Sequence, residues 1–203
     1  MKAFVYLASH SPRRRELLRQ INVRFETLLL RTSAHRSGDV PEGTRPGEAP
    51  IDYVARIARA KAEVGATRAR QRGLPPAPVL AADTEVVIDG VALGKPADAA
   101  QAAAMLRRLS GREHEVLSAV AVSHDGRLDF RLSRTTVRMR ELQAAEIRRY
   151  VESGEPFDKA GGYAIQGSAA AFVERIDGSY SGVMGLPLYE TAELLRALGQ
   201  HLP

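Results

Sequence analysis

A mixed α/β or α+β fold is predicted by three features of the sequence: short apolar runs rich in strand formers, stretches with apolar residues at helical spacing, and Gly/Pro-rich turns between them. The opening run KAFVYLA alternates and reads as a strand. Ser11-Pro12 then offers a cap and a first-turn proline to a helix carrying Leu17, Leu18 and Ile21. Residues 23–29 read as a second strand. A polar loop with Gly38, Pro41, Gly43, Pro46 and Gly47 follows to about Pro50, long enough to be mobile or functional.

Tyr53, Val54, Ile57, Ala58 and Val64 recur at helical spacing across residues 51–70, and GLPPAP ends that helix. PVLAAD is typical of a buried strand, which continues through residues 84–88. Asp89-Gly90 is a two-residue hairpin signal that returns the chain through Val91 to Leu93. Residues 99–109 are predicted helical, 116–122 and 128–137 extended, and 144–151 helical. EPFDKAGGYAIQG has little periodicity. A strand over 170–176, a turn at Asp177-Gly178 and a closing helix over 188–198 complete the reading.

A chain of 203 residues is long enough to bury a real core, and one compact unit over 1–203 is expected. With 44% hydrophobic and 26% charged residues, neither a disordered nor a fibrous chain is suggested. No apolar run approaches the roughly 18 residues of a membrane span, and no basic segment leads into a long apolar stretch, so a soluble, cytoplasmic protein is expected. The absence of cysteine excludes disulfides, thiolate zinc sites and a cysteine nucleophile. A net charge of +5 suits a polyanionic partner, whether nucleic acid, membrane surface or phosphorylated small molecule. Of 29 basic residues only Lys2, Lys61, Lys95 and Lys159 are lysines. A lysine kept against such an arginine bias is either a chance survivor or is needed for its compact charge.

Three clusters have the makings of chemistry. Ser9-His10-Ser11-Pro12-Arg13-Arg14-Arg15 places cations in the first turn of a helix, where each is unfavourable by about 0.3–1 kcal/mol against the helix dipole. A bound phosphate chain would resolve the conflict, since free N–H groups at a helix start already bind anions; a solvated turn neutralised by Glu16 or salt is the plainer reading. Asp83 ends an apolar strand, a good place for a metal-binding carboxylate, and an unbroken hairpin register sets Thr84 opposite Lys95. That juxtaposition suits a cation beside a phosphate oxygen, and equally a structural ion pair at the hairpin base. In Asp158-Lys159-Ala160-Gly161-Gly162 and Ile165-Gln166-Gly167 the glycines permit close backbone approach. The Gln166 amide can pair with a nucleobase edge or serve the turn itself. His10, His35, His114, His124 and His201 show no metal-ligand spacing and read as surface or core residues.

Taken together, LASHSPRRRELL, ADTEVVIDGVALGKP, MLRRLSGREHEV, EPFDKAGGYAIQG and GSYSGVMGLPL resemble, in order and over nearly the whole chain, the signature segments of the Maf nucleotide pyrophosphatases. The resemblance implies an α/β fold with an ITPase-like mixed sheet flanked by helices, two lobes around a deep cleft, dependence on a divalent metal (Mg2+ or Mn2+), a cytoplasmic location and frequent homodimerisation. The Ser-Pro-Arg-Arg and Ile-Gln-Gly forms resemble the subgroup that hydrolyses dTTP and UTP to the monophosphate and pyrophosphate, with modified pyrimidine or purine nucleotides as a variant. On that resemblance Asp83 matches the catalytic acid, a metal ligand and base toward water; Arg13, Thr84 and Gln166 match substrate-choice positions. Ser9, Arg14, Lys61, Lys95 and Lys159 match cleft positions that meet phosphate or metal. One departure stands out: many members of the family it resembles carry an acidic pair or a glutamate soon after the second strand, where this chain reads Arg31-Thr32-Ser33-Ala34-His35-Arg36. Asp39, Glu42 or water is left to fill that place.

A basic nucleic-acid-binding or nucleotide-sensing regulatory protein is the rival reading. It is weakened by the lack of a recognition helix, zinc finger or stacking motif, and by only 5% aromatics.

Overall fold

A computed structural model describes residues 4–31 and 39–200; Lys2, His35, His201 and the rest of the stretch 32–38 lie outside the described residues. Seven strands form the middle layer: β1 (Val5–Leu7), β2 (Phe25–Thr27), β3 (Val79–Ile88), β4 (Val91–Ala92), β5 (Glu113–His124), β6 (Arg127–Met139) and β7 (Val173–Asp177). Their order is β2-β1-β3-β5-β6-β7, with β4 paired to β3. β1 runs parallel to β2 and β3, and the other pairs are antiparallel, so the sheet is mixed. The helices are α1 (Pro12–Gln20), α2 (Pro50–Gln71), α3 (Ala99–Leu109), α4 (Ala144–Glu152), α5 (Tyr180–Met184) and α6 (Leu188–Ala197). The α/β expectation holds. Among the described residues no helix is long and apolar enough to cross a membrane.

The alternation of β3 divides the core. Val79, Ala81 and Val87 pack with Val54, Ala58 and Ala62 of α2, whereas Leu80, Ala82 and Val86 join Leu106, Ile147 and Leu195 of α3, α4 and α6. A strand period of two therefore assigns Asp83 and Glu85 to the α2 face and Thr84 to the other. Helix α2 lies close against this face because its stripe is built from small residues. A Cβ added at Gly65 would sit 2.7 Å from Val79 Cγ1 and 3.2 Å from Ala8 Cβ. Glycine inside a helix costs about 1 kcal/mol relative to alanine, and here the close approach requires it.

Two expectations are corrected. Asp89 and Gly90 do form the tight turn, both at positive φ, and Ile88 pairs with Val91. The ladder then ends, with a last bond from Leu93 N to Val86 O at 2.9 Å, so Lys95 does not return opposite Thr84. Gly94, at φ 62°, turns the chain off the edge, and its carbonyl accepts from Gly161 N at 2.8 Å. Thr84 pairs instead with Ser118 on β5. The strand expected over 170–176 begins only at Val173, because residues 168–172 form a 3-10 turn. The Glu155 carboxylate accepts from Ser168 N, Ser168 Oγ and Ala169 N, local bonds that compete with extension.

His114 proves to be a core residue, 3% exposed, with Nε2 bonded to Tyr163 Oη at 2.8 Å and Nδ1 without a partner among the described residues. Burial pushes its pKa from 6.5 down to about 4. The unfolded chain takes up this proton near pH 6.5 and the folded chain only near 4, so stability is full above pH 6.5 and falls as pH drops toward 4. The loss is at most about 3 kcal/mol. In urea titrations between pH 4 and 7, His114→Gln is expected to flatten this slope. An unchanged slope would remove His114 as its cause.

Candidate active site

The site lies at a gap in the sheet. β1 and β4 share one edge of β3, yet β1 pairs only to Leu80 and β4 only from Val87. Asp83, Thr84 and Glu85 fall between them, just beyond the carboxyl end of β1, where α/β sheets favour ligands. Three segments border the gap: the β1–α1 turn and helix start with Ser9 and Arg14, the turn after β4 with Gly94 and Lys95, and the flank of α2.

From α2, Lys61 Nζ reaches Asp83 Oδ1 at 2.8 Å and Glu42 Oε1 at 2.8 Å. Tyr53, Ile57 and Lys61 recur every four residues beside the apolar stripe, which brings the lysine over the sheet. Asp83 and Lys61 are 13% and 17% exposed, whereas Glu42, on the loop before α2, is 44% exposed. Burial alone would raise the Glu42 pKa, but Lys61, Lys95 and Arg14 outweigh it and hold the carboxyl below its ordinary value. Glu85 behaves oppositely. Burial first, then the charge of Asp83, pushes it up to about 7 against the Gly94 N–H and the two lysines. Its Oε2 is buried without a partner among the described residues.

Arg14 turns inward rather than leaving its charge in the first turn of α1. Its Nε donates to Gly185 O at 2.7 Å and a terminal nitrogen to Ser9 Oγ at 3.3 Å. Burial lowers its pKa and the charge of Asp83 opposes that; an arginine stays cationic in either case. Gly185 adopts φ 118°, which aims its carbonyl at Arg14 from the end of α5. On the opposite face Thr84 Oγ1 lies 2.9 Å from Ser118 Oγ, which donates to Gly182 O at 2.6 Å.

The remaining expected residues spread outward. Lys95 is exposed and acts electrostatically on Glu42 and Glu85. Arg13 neighbours Asp158 and Lys159: burial lowers its pKa and Asp158 raises it. Lys159 Nζ donates to Glu155 O at 2.6 Å and Phe157 O at 3.3 Å, which ties it to its own loop. Gln166 is exposed and lines a surface hollow of about 530 Å³ with Glu16, Arg19, Gln20, Tyr180 and Met184, a group that includes neither Arg13 nor Thr84. The structure thus gathers Asp83, Lys61, Lys95, Arg14 and Ser9 at one gap and sets Arg13 and Lys159 beside it, while Gln166 faces a surface hollow shared with residues of α1 and α5.

Sequence reasoning passed over Glu85, Tyr53 and Gly185. Glu85 was accessible, since two residues along a strand share a face. Tyr53 has the spacing of an apolar stripe, and nothing local marks Gly185 as the partner of an arginine 171 residues away.

Among the described residues no three His, Asp or Glu side chains form a ready metal cage. Magnesium commonly takes one or two carboxylates together with water and substrate phosphates, which Asp83 and Glu42 could supply. The orphaned Glu85 oxygen beside Asp83 fits a site that receives a cation.

Fold and gap together define a mixed-sheet α/β protein with basic side chains gathered round one strand aspartate. The chain belongs to the Maf family, matching Maf-like protein over residues 4–198. It is 56% identical over 195 residues to a dTTP/UTP pyrophosphatase of Nitrosomonas europaea, covering 96% of this chain and 94% of that one. It is also 60% identical over 196 residues to a dTTP/UTP pyrophosphatase of Burkholderia pseudomallei, covering 96% and 93%. The Staphylococcus aureus Ham1 protein aligns with TM-score 0.47 and 13% identity over 96% of each chain.

Proposed function

We propose that this chain hydrolyses dTTP and UTP to the nucleoside monophosphate and pyrophosphate. The observation that carries the reading is Asp83 at the sheet gap, 2.8 Å from Lys61 and flanked by Arg14, in a chain whose near relatives bear that activity in their names. Arg14, Lys61 and Lys95 spread the charge of the triphosphate, aided by Ser9 and Lys159 at its margins. Asp83 orients the attacking water and takes its proton. The water oxygen bonds to the α-phosphorus as the bond to the bridging oxygen breaks, and that oxygen leaves with pyrophosphate. A divalent cation, Mg2+ or Mn2+, held through Asp83, would supply charge neutralisation to the phosphates when bound. Arg13, Thr84 and Gln166 set the choice of nucleotide, with Thr84 fixed through Ser118.

A panel of nucleoside triphosphates in ¹⁸O water tests this directly. The expected result is UMP and dTMP carrying the label, with unlabelled pyrophosphate. Nucleoside diphosphate with free phosphate, label in pyrophosphate, or salt-dependent DNA binding without pyrophosphate release would overturn it.

A further inference from the structure

We propose that Ser118 is a positioning residue that makes the Thr84 hydroxyl a pure acceptor, so that Thr84 takes the N3–H of uracil or thymine and refuses cytosine, whose N3 carries no hydrogen. The inference rests on the function proposed above. It starts from a count of hydrogens, since a serine or threonine hydroxyl has one hydrogen to donate and two lone pairs. Ser118 is 1% exposed, and its Oγ lies 2.6 Å from Gly182 O, a carbonyl that can only accept. The one hydrogen of Ser118 is therefore committed to Gly182. In the 2.9 Å bond between Thr84 Oγ1 and Ser118 Oγ the donor must then be Thr84. Its lone pairs are what remain for a ligand, and Oγ1 makes no other hydrogen bond among the described residues.

The anchor of this relay is firm. Gly182 O belongs to α5 and also accepts from Gly185 N at 3.0 Å, which fixes its direction. Thr84 and Ser118 are register partners on β3 and β5, so both hydroxyls leave the sheet on one face. Thr84 is half-buried, and a Cβ added at Gly185 would sit 3.8 Å from both Thr84 Oγ1 and Arg14 Nε, which sets the hydroxyl beside the arginine proposed to meet phosphate. Chemistry then selects the ligand group. Ionised phosphate oxygens are acceptors and gain nothing from another acceptor. The sugar 3′-hydroxyl can donate but is common to all these nucleotides and gives no choice among them. The imide N3–H is a donor that uracil and thymine share and cytosine lacks. A lone pair of Thr84 set against the bare N3 of cytosine leaves both groups unpaired, the mismatch by which hydrogen-bonding sites discriminate most strongly.

The test is pyrophosphate release from UTP, CTP and N3-methyl-UTP, with folding checked by circular dichroism. The parent is expected to favour UTP over both analogues by about 10²-fold or more in kcat/KM. Ser118→Ala frees the Thr84 hydrogen to face the ligand and should lower the UTP-to-CTP ratio about tenfold. Thr84→Val should lower it at least as far, whereas Thr84→Ser, which keeps the hydroxyl, should retain most of it. Adding Ser118→Ala to Thr84→Val should change the ratio no further, because Ser118 acts through Thr84. A parental ratio in folded Ser118→Ala, or a further fall in the double variant, overturns the inference. The methylated nucleotide needs no variant: equal turnover of it and UTP by the parent overturns the inference and leaves the function standing. A parent that releases no pyrophosphate from UTP removes the function itself.

Discussion

Replacing Asp83 with asparagine is expected to lower turnover about 10²- to 10⁴-fold, the range of a positioned general base, with little effect on folding. The near-isosteric amide keeps the packing on the α2 face, and Lys61 retains Glu42 as a partner, so no ammonium is orphaned. Loss of the neighbouring charge also relieves Glu85, whose pKa Asp83 helps to raise. Single-turnover release of pyrophosphate beside a urea midpoint separates these effects. Full activity in pure Asp83→Asn would remove the residue from the chemistry.

Arg14→Lys is expected to cost about 10²-fold in kcat/KM although charge is conserved. The guanidinium holds two points at once, Gly185 O and Ser9 Oγ, whereas an ammonium lacks the planar fork that spans them. Leaving the buried Gly185 carbonyl without its donor should also cost about 1–3 kcal/mol of stability. Arg15→Met, whose parent side chain donates to His10 O at 3.3 Å, serves as the control and should stay near the parental value in both measurements. Equal losses in the two variants would mean that the basic turn acts through bulk charge and that Arg14 has no particular place.

The elements that the sequence made plain are those with strong periodicity or strong turn chemistry. Helix α3 spans residues 99–109 as expected, and α2 differs from its expected bounds by one residue at each end. The Asp89-Gly90 turn also formed, because positive φ at two successive residues selects such a pair. The register beyond that turn failed because the ladder had to yield to Gly94, whose carbonyl a distant glycine claims. Helix α5 was missed, since five residues are too few to show a period.

Within the site, the sequence by itself determined which chemical groups are present: a carboxylate following an apolar run, a basic helix start and lysines retained among arginines, although Asp83 lies in the middle of β3 and not at its end. Local spacing and composition dictate these. Only the tertiary structure decided their meeting points, that Lys61 from α2 stands over Asp83, that Glu42 rather than Asp39 shares it, and that Arg14 closes on Gly185. Those contacts depend on helix-to-sheet packing, on the gap where β1 stops short, and on charge balance between segments far apart in the chain. No local pattern encodes them.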